Sequence, residues 1–234
     1  MDKNMEDGIL YIVATPIGNL SDITYRAVET LQKVDLIVCE DTRTSRKLLE
    51  HYGVSTPTMS FYQNVRSGGA TKPVPKTERI IAELQSGKSI ALITDAGTPG
   101  ISDPGNQLVA VAVEEGIVTI PVPGASSLAT LVSVSGIDLT RFVFLGFPPH
   151  KKGRETFFKE VTAFNFPVFY LESPHRLMKN LELLKTLAPD KNVILGRELT
   201  KMFEEIVRGN VKEVLEYFEN NPGKVKGEIV IITY

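Results

Sequence analysis

Short apolar runs in the first half of this chain, Ile9 to Ala14, Leu36 to Cys39, Ser89 to Ile93 and Val118 to Val122, are each followed by a turn or a charged tip and then by an amphipathic stretch. With Thr58 to Phe61 as a short third strand, that makes five strands alternating with helices. Such alternation implies a parallel sheet with crossover connections. The helical stretches carry their apolar residues at spacings of three and four. Ile23, Ala27, Leu31 and Val34 line one face of the first helix, with Ser21 and Asp22 as caps. A second, short helix carries Arg46, Lys47, Leu48 and Leu49 and ends at Gly53. Others span Lys76 to Ser86 and Asn106 to Glu115, the last with Leu108, Val109, Ala112 and Val113 inward.

One connection stands apart from the rest. Thr94 to Gly105, TDAGTPGISDPG, holds three glycines, two prolines and two aspartates and follows an apolar run that reads as a parallel strand. Open α/β sheets bind ligands at the carboxyl ends of their strands, and glycine lets backbone groups approach a small molecule closely. A plain strand-to-helix connection is the alternative. Tyr62 to Pro75, with adjacent glycines, two prolines and no periodicity, reads as a surface loop. Gly87-Lys88-Ser89 is no phosphate-binding loop, because Ala82 stands where a glycine is required and the triplet ends a helix instead of opening one. Gly87 reads as a helix C-cap.

After Pro123 the pattern changes. Strands are expected at Phe142 to Leu145, Val168 to Leu171, Asn192 to Leu195, Met202 to Val207 and Glu228 to Thr233, with Arg208-Gly209-Asn210 as a turn. Helices are expected at 127 to 135, Glu155 to Ala163, from Glu172-Ser173-Pro174-His175-Arg176 onward, and Val211 to Phe218. Two successive strands near 195 and 205 imply an antiparallel pair, so this half is a mixed sheet. The expected organisation is an N-terminal α/β domain over 1–122 and a C-terminal α/β domain over 123–234.

Several functions are disfavoured. The single cysteine, Cys39, allows no internal disulfide and reads as a buried strand residue; the three histidines, at 51, 150 and 175, form no ligand cluster. A formal charge of −2 argues against indiscriminate nucleic-acid binding but leaves room for a local basic face. Met1 to Gly8 has no apolar stretch, and the longest strictly apolar run is Leu108 to Val113, so the expectation is a cytoplasmic protein with no membrane segment. Gly124-Ala125-Ser126-Ser127-Leu128 resembles a nucleophile elbow, with Glu172 and His175 in the right chain order for a serine hydrolase using Ser126. Leu128 stands where the second glycine is needed, and a helix cap at Ser126 or Ser127 is the simpler reading.

The ordered set IVATPIGNLSDIT (Ile12 to Thr24), CEDTR (Cys39 to Arg43), TDAGTPGISDPG, PVPGASS (Pro121 to Ser127), GFPPHKKGR (Gly146 to Arg154), YLESPHR (Tyr170 to Arg176), GRELTK (Gly196 to Lys201) and KGE (Lys226 to Glu228) resembles the ribosomal RNA 2'-O-methyltransferase branch of the tetrapyrrole methylase superfamily. The resemblance covers nearly the whole chain from Ile9. It implies a homodimer of two-domain subunits that bind S-adenosylmethionine in the cleft between domains and methylate a cytidine ribose of 16S ribosomal RNA, within the 30S subunit. A related methylase acting on a tetrapyrrole or a protein side chain is the nearest alternative. Carried over by position, cofactor contacts fall on Pro16, Asp95, Ala96, Gly97, Gly100, Ser126, Ser127, Leu171 and Leu199. The proton of the attacking hydroxyl would be handled by Glu172, Glu198 or Lys201. RNA would be held by Arg43, Arg46, Lys47, Lys151, Lys152, Arg154, His175, Arg176 and Arg197. Members of the branch usually carry a pattern like YHEHN after the third strand, where this chain has Tyr62-Gln63-Asn64.

Overall fold

The computed structural model describes residues 8–61, 75–102 and 105–234. Tyr62 to Ala70 and the rest of the expected loop up to position 74, together with Asp103 and Pro104, lie outside them. By internal contacts the chain divides into two units, Met1–Ser126 and Ser127–Tyr234. Pro123 to Ser126 goes with the first unit for a local reason: Gly124 packs against Ala14, and the carbonyl of Ala125 accepts a hydrogen bond from Thr98 Oγ1 at 3.1 Å.

The first unit holds β1 (Ile9–Val13), α1 (Tyr25–Lys33), β2 (Leu36–Cys39), α2 (Thr42–His51), β3 (Thr58–Ser60), α3 (Pro75–Gln85), β4 (Ile90–Ile93), α4 (Asn106–Glu114) and β5 (Val118–Val122). The strands form one sheet in the order β3-β2-β4-β1-β5, and every pairing is parallel. All four residues of β4 are buried because helices cover both faces, which is why this strand reads as an unbroken apolar run. Ile90 and Leu92 face a cluster with Ile80, Leu84, Leu108 and Ala112, while Ala91 and Ile93 face Ala27, Leu31 and Leu49. Helix α1 starts later than its sequence suggested. Asn19 caps a 3-10 turn at Leu20–Asp22, and the α1 cap is Thr24, whose hydroxyl accepts from Ala27 N at 3.1 Å. Val113 is 59% exposed, so α4 turns Leu108 and Ala112 inward and leaves this valine out.

The second unit holds α5 (Ser127–Val134), β6 (Val143–Phe144), α6 (Arg154–Ala163), β7 (Val168–Glu172), α7 (Pro174–Leu187), β8 (Asn192–Arg197), β9 (Glu205–Asn210), α8 (Val211–Asn220) and β10 (Ile229–Thr233). Its sheet runs β6-β7-β10-β8-β9, with β6 and β7 parallel and the other pairings antiparallel. Alternate residues Val168, Tyr170, Val193, Leu195, Ile229 and Ile231 meet Phe158, Leu177, Leu181 and Phe218 from α6, α7 and α8. The strand expected over Met202 to Val207 instead begins at Glu205. Met202 and Phe203 lie in the preceding turn and are 90% and 64% exposed, so their apolar character does not mark a buried strand. Arg208 and Gly209 are strand residues, not a turn, because they pair in register with Ile194 and Val193.

Asn210 ends β9 and caps α8 in a reciprocal box: its side chain accepts from Glu213 N at 3.0 Å, and Glu213 Oε2 accepts from Asn210 N at 2.8 Å. That box satisfies two otherwise orphaned donors where strand becomes helix. Asn210→Ala should destabilise the protein by about 1 kcal/mol. In urea unfolding this would appear as a lowered midpoint at unchanged slope.

Candidate functional site

In the first sheet β1 and β4 are neighbours; the chain leaving β1 crosses past β4 to reach β2, and the chain leaving β4 crosses past β1 to reach β5. Open α/β sheets bind ligands outside the carboxyl ends of their strands, where both of these loops begin. Here the two loops are tied together. Thr15 N donates to Gly97 O at 2.9 Å, Gly97 N donates to Thr15 O at 3.1 Å, and Thr15 Oγ1 donates to Thr94 O at 3.1 Å. Gly97 is required twice over, since its φ is +84° and an added Cβ would lie 3.2 Å from Ile17 Cγ2. Pro16 and Gly97 are buried, Ala96 and Gly100 half-buried, and Asp95 exposed. The structure therefore brings Pro16, Asp95, Ala96 and Gly97 together within the first unit.

The same edge gathers carboxylates. Asp95 Oδ1 accepts from Asp41 N at 3.3 Å, and Glu40 Oε2 accepts from Thr94 Oγ1 at 3.4 Å. Partial burial raises the Asp95 carboxyl above its usual range; the Asp41 amide opposes this and the Asp41 charge adds to it. Glu40 is raised too, by burial first and then by the Asp95 charge. Asp41 goes the other way, to about 2, because Arg43 holds it at 2.6 Å. Arg43 is thereby engaged, whereas Arg46 and Lys47 are exposed on α2. Raised carboxyls at this edge favour a ligand that carries positive charge. The residues present fit a sulfonium and ammonium compound in that respect. Glu40 was not singled out beforehand, although its place in the charged tip after β2 was a usable signal. Among the described residues no group of three or more His, Cys, Asp or Glu is placed to hold a metal ion. Burial raises the Cys39 thiol, as expected of an inert strand residue.

In the second unit, β10 pairs with β7 on one side and β8 on the other, so Glu172 and Arg197 both lie opposite Ile229. The Glu172 side chain is fully buried. Its Oε1 accepts from Ser173 N at 2.7 Å, and its Oε2 accepts from Asn180 Nδ2 at 2.6 Å. Arg176 Nε stands 3.7 Å from Oε1, while Arg176 Nη1 donates to Pro148 O at 2.7 Å. Burial raises the Glu172 carboxyl, against the lowering by Asn180, Ser173, Arg176 and Arg154. Arg176 is thus an internal tie between β7, α7 and the loop at Pro148. His175 is exposed and has no hydrogen bond to Glu172, so the carboxylate-oriented histidine that a serine hydrolase needs is missing. Asn180 was missed in the sequence. Its signal was a polar residue on the apolar α7 face defined by Leu177, Leu181 and Leu184.

Glu198 and Thr200 adopt positive φ values of 51° and 67° in the loop after β8. Such backbone is strained for residues other than glycine and must be held by its surroundings. The hold is visible: Lys201 Nζ lies 2.9 Å from Glu198 Oε1 and 3.2 Å from Glu228 Oε1, and Glu228 N donates to Glu198 Oε1 at 2.9 Å. Gly227, at φ +86°, makes room, since an added Cβ would meet the Glu198 carboxyl at 2.3 Å. Burial works to lift Glu198, but the Glu228 amide and Lys201 outweigh it and hold the carboxyl below its usual range. Burial likewise works against the Lys201 ammonium, yet Glu198 and Glu228 prevail and raise it. Leu199 is buried against Gly196; Leu171, Ser126 and Ser127 are half-buried.

Arg197 is corrected as a surface contact for RNA. It is 5% exposed, with Nε 3.4 Å from Glu205 Oε2 and Nη2 donating to Phe203 O at 3.0 Å. Glu205 is also held by Lys224 at 2.6 Å and by the Tyr217 hydroxyl. Such a network is internal, and an arginine within it cannot swing out to a phosphate without abandoning the half-buried Glu205 carboxylate. Lys151 and Lys152 are exposed; Arg154 is half-buried and donates through Nη2 to His150 O.

A model of the Tetrapyrrole (Corrin/Porphyrin) Methylases matches residues 9–215. The chain belongs to the tetrapyrrole methylase family. It is 45% identical over 228 residues to a Synechocystis protein named Ribosomal RNA small subunit methyltransferase I, covering 96% of this chain and 78% of that one. It is 43% identical over 236 residues to a Leptospira biflexa protein of the same name, covering 99% and 93%. Among solved structures, a diphthine synthase superposes with a TM-score of 0.72 at 14% identity over 96% of this chain and 89% of its own. A cobalt precorrin-4 methyltransferase gives 0.66 at 18% identity, covering 96% and 94%. At such identities these two structures speak to the fold alone. Among the described residues no helix is long and apolar enough to cross a membrane.

Glu172 gives a pH-dependent prediction. Its folded carboxyl is raised above the unfolded value, so its contribution to stability is present below the ordinary glutamate range and is lost as pH rises through the folded value. Asn180→Ala removes a donor from the charged form and raises that carboxyl further. The variant should lose about 1–3 kcal/mol at neutral pH and progressively less toward pH 4. Urea unfolding across that range measures the difference.

Proposed function

We propose that this protein is an S-adenosylmethionine-dependent methyltransferase that modifies the 2'-hydroxyl of a cytidine ribose in 16S ribosomal RNA of the small subunit. The observation that carries the reading is the Thr15–Gly97 backbone bridge beside Asp95, in a chain whose relatives are named for methylation of small-subunit ribosomal RNA. The bound donor would supply an electrophilic methyl on a sulfonium, already a good leaving group, so the protein's task is mainly positioning. The loops at Pro16, Asp95, Ala96, Gly97 and Gly100 would hold it, with the Asp95 carboxylate matching its positive charge. Ser126, Ser127, Leu171 and Leu199 complete the proposed contact set.

Of the three candidates for accepting the hydroxyl proton, Glu198 is favoured. Both oxygens of Glu172 are occupied by Ser173 and Asn180. Lys201 is held as a cation between two carboxylates and has no lone pair to offer. The Glu198 contacts all fall on Oε1, which leaves Oε2 as an acceptor. Lys201 would then be a positioning residue that keeps Glu198 ionised. The homodimer implied by the family resemblance and the cytoplasmic location expected from the sequence belong to this proposal, and sedimentation should find a species of twice the chain mass.

With methyl-labelled S-adenosylmethionine and 30S subunits lacking the mark, label should enter 16S RNA and map to a cytidine ribose. Label on a free tetrapyrrole precursor but not on RNA would overturn the reading. Asp95→Ala should abolish cofactor binding in calorimetry; unchanged binding would remove Asp95 from the site.

The pH profile separates the two glutamates. A base at Glu198, held below the usual carboxylate range, keeps kcat/KM flat through the ordinary glutamate range, whereas a base at Glu172, raised by burial, would place the acid limb above that range. Glu198→Gln should lower kcat by 10²-fold or more, on the order expected for loss of a general base, with cofactor binding retained. Near-normal turnover in this variant would exclude Glu198.

A further inference from the structure

Helices α6 and α7 of the second unit border a cavity of about 360 Å³ lined by Lys151, Arg154, Glu155, Lys179 and Leu183. Three of these five residues are cations. The one carboxylate is drawn aside: Glu155 Oε1 lies 2.7 Å from Lys159 Nζ one turn along α6, and this hydrogen bond holds its carboxyl below the usual range. Lys151, Arg154 and Lys179 have no ion pair among the described residues. The Arg154 Nε is buried without a hydrogen-bond partner, while its Nη2 donates to His150 O and fixes the guanidinium. Lys179 and Leu183 are four apart on α7 and so share a face, which places the ammonium beside an apolar wall. Gly153 caps the ten-residue α6 without a side-chain hydrogen bond, so the positive end of that helix adds to the same field.

Like charges converging on one recess repel each other, and an anion relieves that repulsion while satisfying the orphaned Arg154 donor. No aromatic ring lines the cavity, so there is nothing on which a base would stack. We propose that this cavity is a phosphate subsite that seats one backbone phosphodiester of the substrate RNA, with Lys179 as a binding residue alongside Arg154 and Lys151. It rests on the ribosomal RNA reading and deepens it. The subsite fixes register on the RNA without reading its sequence. Nothing in the sequence distinguished Lys179 from any other solvated lysine of an amphipathic helix.

Binding of a fluorescein-labelled 16S RNA fragment to the full chain, followed by anisotropy across a salt series, tests the proposal. Lys179→Glu should weaken binding by about tenfold and lower the salt slope by about 0.7 for a lost single-strand phosphate contact. Lys179→Arg should restore both. Lys185→Glu, exposed on the same helix but not lining the cavity, should stay within about twofold of the parent, which separates a local contact from a general charge effect. An unchanged slope in Lys179→Glu, or an equal loss in Lys185→Glu, would overturn the subsite while leaving the methyltransferase reading intact. A parent protein that binds cofactor but no RNA would overturn both. Acetylation of Lys179, followed by mass spectrometry, should be slowed by the RNA and by polyphosphate. Equal protection by polyglutamate would replace phosphate with a carboxylate-bearing protein partner and overturn the assignment.

Discussion

Two backbone hydrogen bonds between Thr15 and Gly97 hold the first unit's functional edge together. They join loops from adjacent parallel strands whose connections then cross past one another to β2 and β5. Without that tie, the Asp95 carboxylate and the amides around it would ride on two separate loops. With it, they share one frame set by the buried β1 and β4 strands. The bridge depends on glycine at position 97, where both the backbone angle and the nearness of Ile17 exclude a side chain.

The two units manage charge in opposite ways. At the edge of the first sheet, Glu40 and Asp95 are raised by partial burial, Glu40 further by the Asp95 charge and Asp95 by that of Asp41, a state that a cationic ligand relieves. In the second unit, carboxylates at the sheet end are each assigned partners: Glu172 has Asn180 and Ser173, Glu198 has Lys201 and the Glu228 amide, and Glu205 has Lys224, Tyr217 and Arg197. The recess between α6 and α7 is lined by Lys151, Arg154 and Lys179, none of which has an ion pair among the described residues. The first unit thus carries an acidic edge and the second a basic recess.

The strain at Glu198 and Thr200 belongs to the same economy of partners. Positive φ at non-glycine residues costs on the order of 1–2 kcal/mol each and is kept only because Lys201 and Glu228 fix the loop. The outcome is a carboxylate with one oxygen anchored and the other left as an acceptor. A relaxed loop would be easier to fold but would not hold that oxygen still.

Strand periods and breaks determined a good deal before any coordinates. The unbroken apolar β4 required helices on both faces, the helix-strand alternation required a parallel first sheet, and successive strands near 195 and 205 required an antiparallel pair in the second. Motif order pointed to the family. Local signals failed where the deciding interaction was distant or ambiguous. Met202 and Phe203 have strand-like character but stay in water, Ser21 and Asp22 were plausible caps displaced by Asn19 and Thr24, and Arg197 looked like a surface cation. Only the tertiary structure decided which charges are spent internally and which remain open. Arg197 meets Glu205 across a strand pair, Glu198 meets a backbone amide 30 residues away, and Lys179 of α7 lines one cavity with Arg154 of α6. A charge's role follows from its partner, and partners far apart in the chain are chosen by packing, which short-range spacing does not encode.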